Sequence, residues 1–339
     1  MSNRIKRLKE IISRPQKIII TTHRGPDGDA IGSSLALYNL LLKLGHTVNV
    51  ITPNDYASFL HWLPGNDFVT EYESSKETAV KMVEDANIIF MLDFNDLSRI
   101  DGLAYHVKNS DAHKVLIDHH QDPQNNIADL IFSEPTICST SQLLFQILDR
   151  MGLSYLIDKD ISECFYVGIM TDTGSFKYNS TTSETHNIIA RLIDSGARNT
   201  KIHDLIYDNN SADRIKLLGY CLNNKMLLYQ ENNSAIISLS NEELKKFNFK
   251  KGDTEGIINY ALAIKGIIFA AFIVERDNIV KLSLRSKGSF KVNEIAKKYF
   301  SGGGHKNAAG GVSTKNIEST IDKVKEIINN YKNELNNIK

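Results

Sequence analysis

The chain has 339 residues, 42% of them hydrophobic and 24% charged, which is enough for about two globular domains with buried cores. Its 40 basic and 40 acidic side chains cancel. That balance excludes the broad basic face that holds long duplex nucleic acid by its backbone, but not a local grip on a small anion.

The N-terminal MSNRIKRLKEII is basic and has no continuous apolar run, so it does not read as a secretory signal. KIIITT (17–22) is a β-branched strand. AIGSSLALYNLLLKLG (30–45) repeats apolar residues at helical spacing and ends at Gly45, a C-cap. HTVNVIT, NIIFMLD (87–93) and HKVLIDH (113–119) are further strands. Continuous apolar runs separated by helices predict a parallel sheet covered on both faces. Residues 139–223 look mostly helical, with an apolar stretch CFYVGIM at 164–170. Beyond about residue 225, KMLLYQ, AIISLS, KGIIFAAFIV and NIVKLSLR read as strands, with helices near 254–264 and 291–299. Ile317, Ile321, Val324, Ile327, Ile328, Tyr331 and Leu335 form one amphipathic stripe facing a core. The expected class is α/β: an N-terminal parallel-sheet domain over 1–190, a helical linker over 191–228 and a smaller α/β domain over 229–339.

The three cysteines, Cys138, Cys164 and Cys221, form no CxxC pair and read as reduced thiols, which points to the cytoplasm. The longest apolar stretch, IIFAAFIV (267–274), is too short to cross a bilayer, so no membrane partner is expected.

Ligands of open parallel sheets bind beyond the carboxyl ends of the strands. His23-Arg24-Gly25-Pro26-Asp27-Gly28-Asp29 follows the first strand, Asp93 follows NIIFML, Asp118-His119-His120 follows KVLI, and Thr171-Asp172 follows CFYVGIM. An isolated Asp after a strand is more often a helix cap, and Asp29 suits that job. The joint pattern is harder to explain as caps. Asp27, Asp29, Asp93 and Asp172 brought together would repel unless cations were present. Two divalent ions would offset that repulsion and serve phosphoester hydrolysis by activating water and neutralising phosphoryl oxygens. Mixed imidazole and carboxylate donors suit Mn²⁺ first, with Mg²⁺ or Co²⁺ as alternatives, and the lack of thiolates argues against structural zinc. GPDGDAIG fails the GxGxxG spacing, and its acids would repel a dinucleotide's phosphates.

A second station lies in SLRSKG (283–288) and FSGGGHKNAAGG (300–311). Gly302, Gly303 and Gly304 permit a turn whose exposed amides nest an anion. Arg285 can contact phosphate bidentately, His305 can add a hydrogen bond, and Asn307 can read a base edge. A flexible surface turn is the plain alternative.

Taken together, His23-Arg-Gly-Pro-Asp27-Gly-Asp29, Asp93 in MLDF, Asp118-His119-His120 and Asp172 in MTDTG resemble the motifs of the DHH phosphoesterases. GGGHKNAAGG, with Arg285 upstream, resembles the DHHA1 domain. The length is similar to the NrnA-type bifunctional oligoribonucleases and pAp phosphatases; the longer RecJ-type exonucleases carry additional parts. The resemblance implies one metal held by His23, Asp27 and Asp93, and another by Asp29, Asp93, His119 and Asp172, with Asp93 bridging. It implies that His120 faces the scissile phosphate, that Asp118 orients a histidine, and that Arg285, His305 and Gly302–Gly304 grip the substrate. Ser33, Ser34, Ser139 and Ser141 are read as caps or packing residues. The expected substrates are single-stranded RNA of about two to five nucleotides, dinucleotides and pAp, the last giving AMP. A homodimer is expected from the resemblance alone. The rivals are cyclic or linear signalling dinucleotides, processive exonuclease action, a pyrophosphatase, and a non-catalytic nucleotide sensor.

Overall fold

In the computed structural model the described residues are 2–124, 126–276 and 279–338. Met1 of the N-terminal segment and Asn278 of the NIVKLSLR run lie outside them. The chain divides into two compact units, one ending at Asn209 and the other starting at Asn210. Among the described residues no helix is long and apolar enough to cross a membrane.

The first unit runs α1 (Ser2–Ile11), β1 (Lys17–Thr22), α2 (Gly28–Lys43), β2 (Thr47–Thr52), β3 (Val69–Glu71), α3 (Lys76–Glu84), β4 (Ile88–Leu92), α4 (Leu103–Asn109), β5 (His113–Asp118), β6 (Leu130–Ser133), α5 (Thr140–Arg150), α6 (Lys159–Asp172), α7 (Ser183–Asp194) and α8 (Asn199–Tyr207). Its strands form one parallel sheet in the order β3-β2-β1-β4-β5-β6. Alternate side chains feed opposite faces. Ile18, Ile20, Val50, Phe90 and Ile117 pack with α2, α5 and α6, while Ile19, Ile51, Ile89, Met91 and Leu116 pack with α3 and α4. This is why the strands read as unbroken apolar runs. The order reverses between β1 and β4, which opens a crevice at their carboxyl ends.

The second unit runs α9 (Ala212–Tyr220), β7 (Met226–Tyr229), β8 (Ser234–Leu239), α10 (Asn241–Lys246), α11 (Ile257–Ala263), β9 (Phe269–Arg276), β10 (Ile279–Ser286), α12 (Val292–Tyr299), β11 (Gly303–His305), β12 (Ala308–Ser313), α13 (Ile317–Asn330) and α14 (Lys332–Asn337). Its sheet has the order β11-β12-β10-β9-β8-β7 and is antiparallel except where β8 meets β9. Ile236, Ala271, Leu282 and Leu284 pack with α12 and α13; Ile237, Ala270 and Phe272 pack with α11.

CFYVGIM lies in a helix, in keeping with the helical reading of 139–223: it is the C-terminal half of α6, so Asp172 comes from a helix end and not, like the other acids, from the end of a strand or the start of a helix. Some expectations need correction. The residues 191–228 are largely helical but form no body of their own, since α8 lies in the first unit and α9 in the second. The C-terminal stripe faces the core as expected, yet it breaks at Tyr331 into α13 and α14. The glycine-rich segment is no open turn: β11 and β12 pair as a hairpin at the sheet edge.

Candidate metal centre

Three strand ends and two helix ends build the acid and histidine cluster of the first unit. β1 delivers His23, β4 delivers Asp93, β5 delivers Asp118, His119 and His120, and α6 delivers Asp172. Asp27 is the N-cap of α2, and its Oδ1 accepts the amides of Asp29 and Ala30 at 3.0 and 3.1 Å. The capping role expected of Asp29 therefore belongs to Asp27. Asp29, in the first turn, is buried and points across to α5, where its oxygens accept the amides of Thr140 at 2.6 Å and Ser141 at 2.9 Å.

Donor atoms of His23, Asp27 and Asp93 lie within 4.8 Å of one another, and so do those of Asp29, Asp93 and His119. Asp93 belongs to both groups. Its Oδ2 is 3.4 Å from His23 Nε2 and its Oδ1 is 3.5 Å from His119 Nε2. Asp172 Oδ2 sits 3.3 Å from the same His119 nitrogen. Asp93 has a φ of 64°, a left-handed conformation that Asp tolerates better than most residues.

The histidine tautomers are set from behind. His119 Nδ1 donates to the Ile137 carbonyl at 3.1 Å and His23 Nδ1 to the Arg24 carbonyl at 3.0 Å. Each ring thus turns Nε2, the nitrogen that would ligate a metal, toward the carboxylates. Arg24 is itself held by ion pairs to Glu73 and Asp101. Asp118, fully buried, accepts both the amide of His120 at 3.0 Å and its Nδ1–H at 2.7 Å.

Burial, reinforced by Asp93 and Asp172, pushes the Asp29 carboxyl well above the usual carboxylate range. Asp172 is raised by burial as well, to about 7. Burial would lower His119, but Asp172, Asp93 and Asp29 outweigh it and raise the ring to about 9. His23 is raised by Asp93 and Asp27 against the same burial effect. Asp93 is lowered: burial opposes its charge, yet the hydrogen bond to His23 and the three nearby imidazoles prevail. Without a metal, protons must supply the positive charge that this crowd of acids needs. Hard oxygen donors with imidazoles, no thiolate, and buried acids short of positive charge fit divalent cations.

Among the hydroxyl residues, Ser139 caps α5 by accepting the Gln142 amide, Ser33 bonds back to Ala30, and Ser34 and Ser141 are buried in packing. Thr140, which the sequence did not single out, donates from Oγ1 to Asp93 Oδ1 at 2.8 Å. Its only sequence signal is a place inside the STS that opens α5.

In the second unit the register puts Arg285 opposite Ala308, and Ala308 opposite His305. Directly opposed residues share a face, so Arg285 and His305 flank Ala308 roughly 9–10 Å apart. The next row, Ser283, Gly310 and Gly303, is also small. The result is a flat floor edged by a cation and an imidazole. Three residues expected to touch substrate have other tasks. Gly302 donates its amide to Ala296, and a Cβ there would sit 2.0 Å from the Gly310 carbonyl, so this glycine serves close strand approach. The Asn307 amide donates to Ser286 Oγ at 2.8 Å and to the Phe290 and Gly288 carbonyls, which commits it to the hairpin rather than to a base edge. Gly304, at φ 137° and with an added Cβ falling 2.6 Å from the Ala308 carbonyl oxygen, likewise answers to backbone geometry.

Comparison with known proteins agrees with this division. Residues 17–169 match the DHH family, N-terminal domain, and residues 229–334 match the DHHA1 domain. The chain is 28% identical to the bifunctional oligoribonuclease and PAP phosphatase NrnA of Bacillus subtilis, over 88% of this chain and 90% of that protein. It is also 28% identical to the cyclic-di-AMP phosphodiesterase GdpP of the same organism, over 96% of this chain but 49% of that one. A crystal structure of an exopolyphosphatase-related protein from Bacteroides fragilis superposes with a TM-score of 0.94 at 41% identity, covering 99% of this chain and 98% of the other. The chain belongs to the DHH family of phosphoesterases, with a DHHA1 domain as its second half.

Proposed function

We propose that this protein is a metal-dependent phosphoesterase that hydrolyses RNA of about two to five nucleotides to mononucleotides and converts pAp to AMP and phosphate. The observation that carries the reading is Asp93, shared by two donor groups on opposite sides of its carboxylate. His23, Asp27 and Asp93 would hold one ion, and Asp29, Asp93, His119 and Asp172 the other, with Mn²⁺ favoured by the donor set. When bound, the ions supply Lewis acidity that activates water and neutralises phosphoryl charge.

The chain's own groups do the rest. Arg24 and Ile137 carbonyls fix His23 and His119 in the ligating tautomer. Asp118 anchors the His120 ring through Nδ1, and when that ring is protonated its Nε2–H donates to a phosphoryl oxygen. Arg285 and His305 hold a substrate phosphate, with the small residues between them admitting a nucleotide. The zero net charge suits a small substrate, which needs positive charge only locally. Similarity to NrnA along nearly the whole chain supports the choice of substrate.

Similarity to GdpP favours a second reading, cyclic or linear signalling dinucleotides, and the Bacteroides fragilis structure makes polyphosphate a necessary comparison. The test is hydrolysis by protein purified with Mn²⁺ of labelled RNAs of about 2–20 nucleotides, pAp, cyclic-di-AMP and polyphosphate. The shortest RNAs and pAp should be preferred, and Asp93→Asn should be inactive with its metal content reduced. Equal behaviour of native and Asp93→Asn protein would refute the mechanism, and preference for long strands, cyclic dinucleotide or polyphosphate would refute the substrate assignment.

A further inference from the structure

Thr140 is fully buried at the first position of α5, and it touches two of the acids on which the metal reading rests. Its amide donates to Asp29 Oδ2 at 2.6 Å and its hydroxyl to Asp93 Oδ1 at 2.8 Å. An ionised carboxylate only accepts, so the hydroxyl proton must point at Asp93. The carboxylate it reaches has a difficult task. It must offer Oδ2 toward His23 and Oδ1 toward His119 from a left-handed backbone. A carboxylate torsion is broad, so the backbone alone does not fix that plane. A β-branched side chain at Thr140 has few rotamers, and burial leaves it fewer.

We propose that Thr140 is a positioning residue of the metal centre: its hydroxyl locks the plane of the Asp93 carboxylate so that one oxygen faces each histidine. Its amide contact to Asp29 ties the second donor group to the same helix end. The proposal rests on the metal reading above but makes a separate claim, because none of the donor atoms belongs to Thr140. A threonine that merely satisfied a buried hydrogen bond would matter to folding and not to the ions.

The test compares native, Thr140→Val and Thr140→Ser protein, each stripped of metal and titrated with Mn²⁺ by calorimetry, alongside thermal melting of the metal-free forms. Valine keeps the shape and the backbone amide and loses only the donor. It should bind Mn²⁺ about 10- to 100-fold more weakly, the usual effect of losing a group that orients a ligand. Serine should recover most of the affinity. With saturating Mn²⁺, KM for a dinucleotide should be unchanged in the valine variant, while the Mn²⁺ concentration for half-maximal rate rises. Native affinity in Thr140→Val would overturn the proposal. So would equal losses in serine and valine that track a lower melting temperature. If valine does not fold, serine must still outbind alanine at this position, and equality would overturn it too. Native protein that takes up no divalent ion would remove the metal reading and this proposal together, whereas normal native uptake with an indifferent Thr140 would remove the proposal alone.

Discussion

Replacing Gly32 by alanine should force apart the two helices that carry opposite sides of the acid cluster. α2 and α6 run antiparallel in close contact: Gly28 lies against Thr171, and Gly32 against Cys164 and Gly168. A Cβ on Gly32 would stand 2.5 Å from the Cys164 carbonyl oxygen and 2.9 Å from the Gly168 amide nitrogen. Both are backbone atoms and cannot turn aside. Ordinary contact starts at 3.4 Å, so the helices must separate by nearly one ångström. In an unpacked helix the same change would stabilise by about 1 kcal/mol, because alanine is the better helix former. Overpacking costs about 1–3 kcal/mol, so a net loss of up to about 2 kcal/mol is expected. The effect on activity should be larger in proportion. Asp29 lies in the first turn of α2 and Asp172 ends α6, and a displacement of about 1 Å at a reacting centre can cost roughly 100-fold in rate. The assay is thermal melting with Mn²⁺ titration and dinucleotide turnover on the purified variant. A Gly32→Ala protein that melts at or above the native temperature and turns over at the native rate would refute the claim that this seam sets the acid geometry.

Asp118→Asn should leave Mn²⁺ uptake near native but lower kcat about 10- to 100-fold, since only the hold on the His120 ring is weakened; atomic absorption and single-turnover kinetics check it. Arg285→Ala should raise KM for a dinucleotide by about tenfold or more at unchanged metal content, which steady-state kinetics would measure. Glu243 is opposed by burial but held below its usual 4.5 by the Ser240 amide, the Tyr220 hydroxyl and the Lys225 ammonium. A depressed carboxylate stabilises above its unfolded value and ceases to do so as pH falls through the folded one. Glu243→Gln should therefore cost about 1 kcal/mol at neutral pH in urea melts, and the gap should close as pH falls through the lowered folded-state value.

The strands and their polar ends were legible in the sequence because each is local. An apolar β-branched run followed by His23, Asp93 or Asp118 announces a sheet edge that binds something. Asp172 was legible only as the end of an apolar run, since seven apolar residues inside a buried helix carry no periodicity that separates them from a strand. Thr140 escaped because its meaning depends on Asp93, 47 positions away, which no local pattern encodes. The glycine hairpin misled for a related reason. Consecutive glycines signal freedom, and only the strand across from them shows that Gly302 is needed to pass the Gly310 carbonyl. Asn307 had the right chemistry for a base but a nearer claim from Ser286 and Phe290.

The strand order has a further consequence for the chain during synthesis. β1 lies in the middle of its sheet, flanked by β2 and β4, so an early segment waits for later ones on both sides. The last acid of the cluster, Asp172, ends a helix made after every strand of that sheet. A ribosome-bound fragment ending before α6 would thus have the sheet's hydrogen-bonding partners but an incomplete cage. Parallel pairings between distant segments form slowly, and N-terminal domains fold as units while translation proceeds. On the proposed assignment, the site of His23, Asp27 and Asp93 is complete in sequence before residue 172, whereas the one that uses Asp172 can be completed only once that residue has been made, well before the DHHA1 half exists.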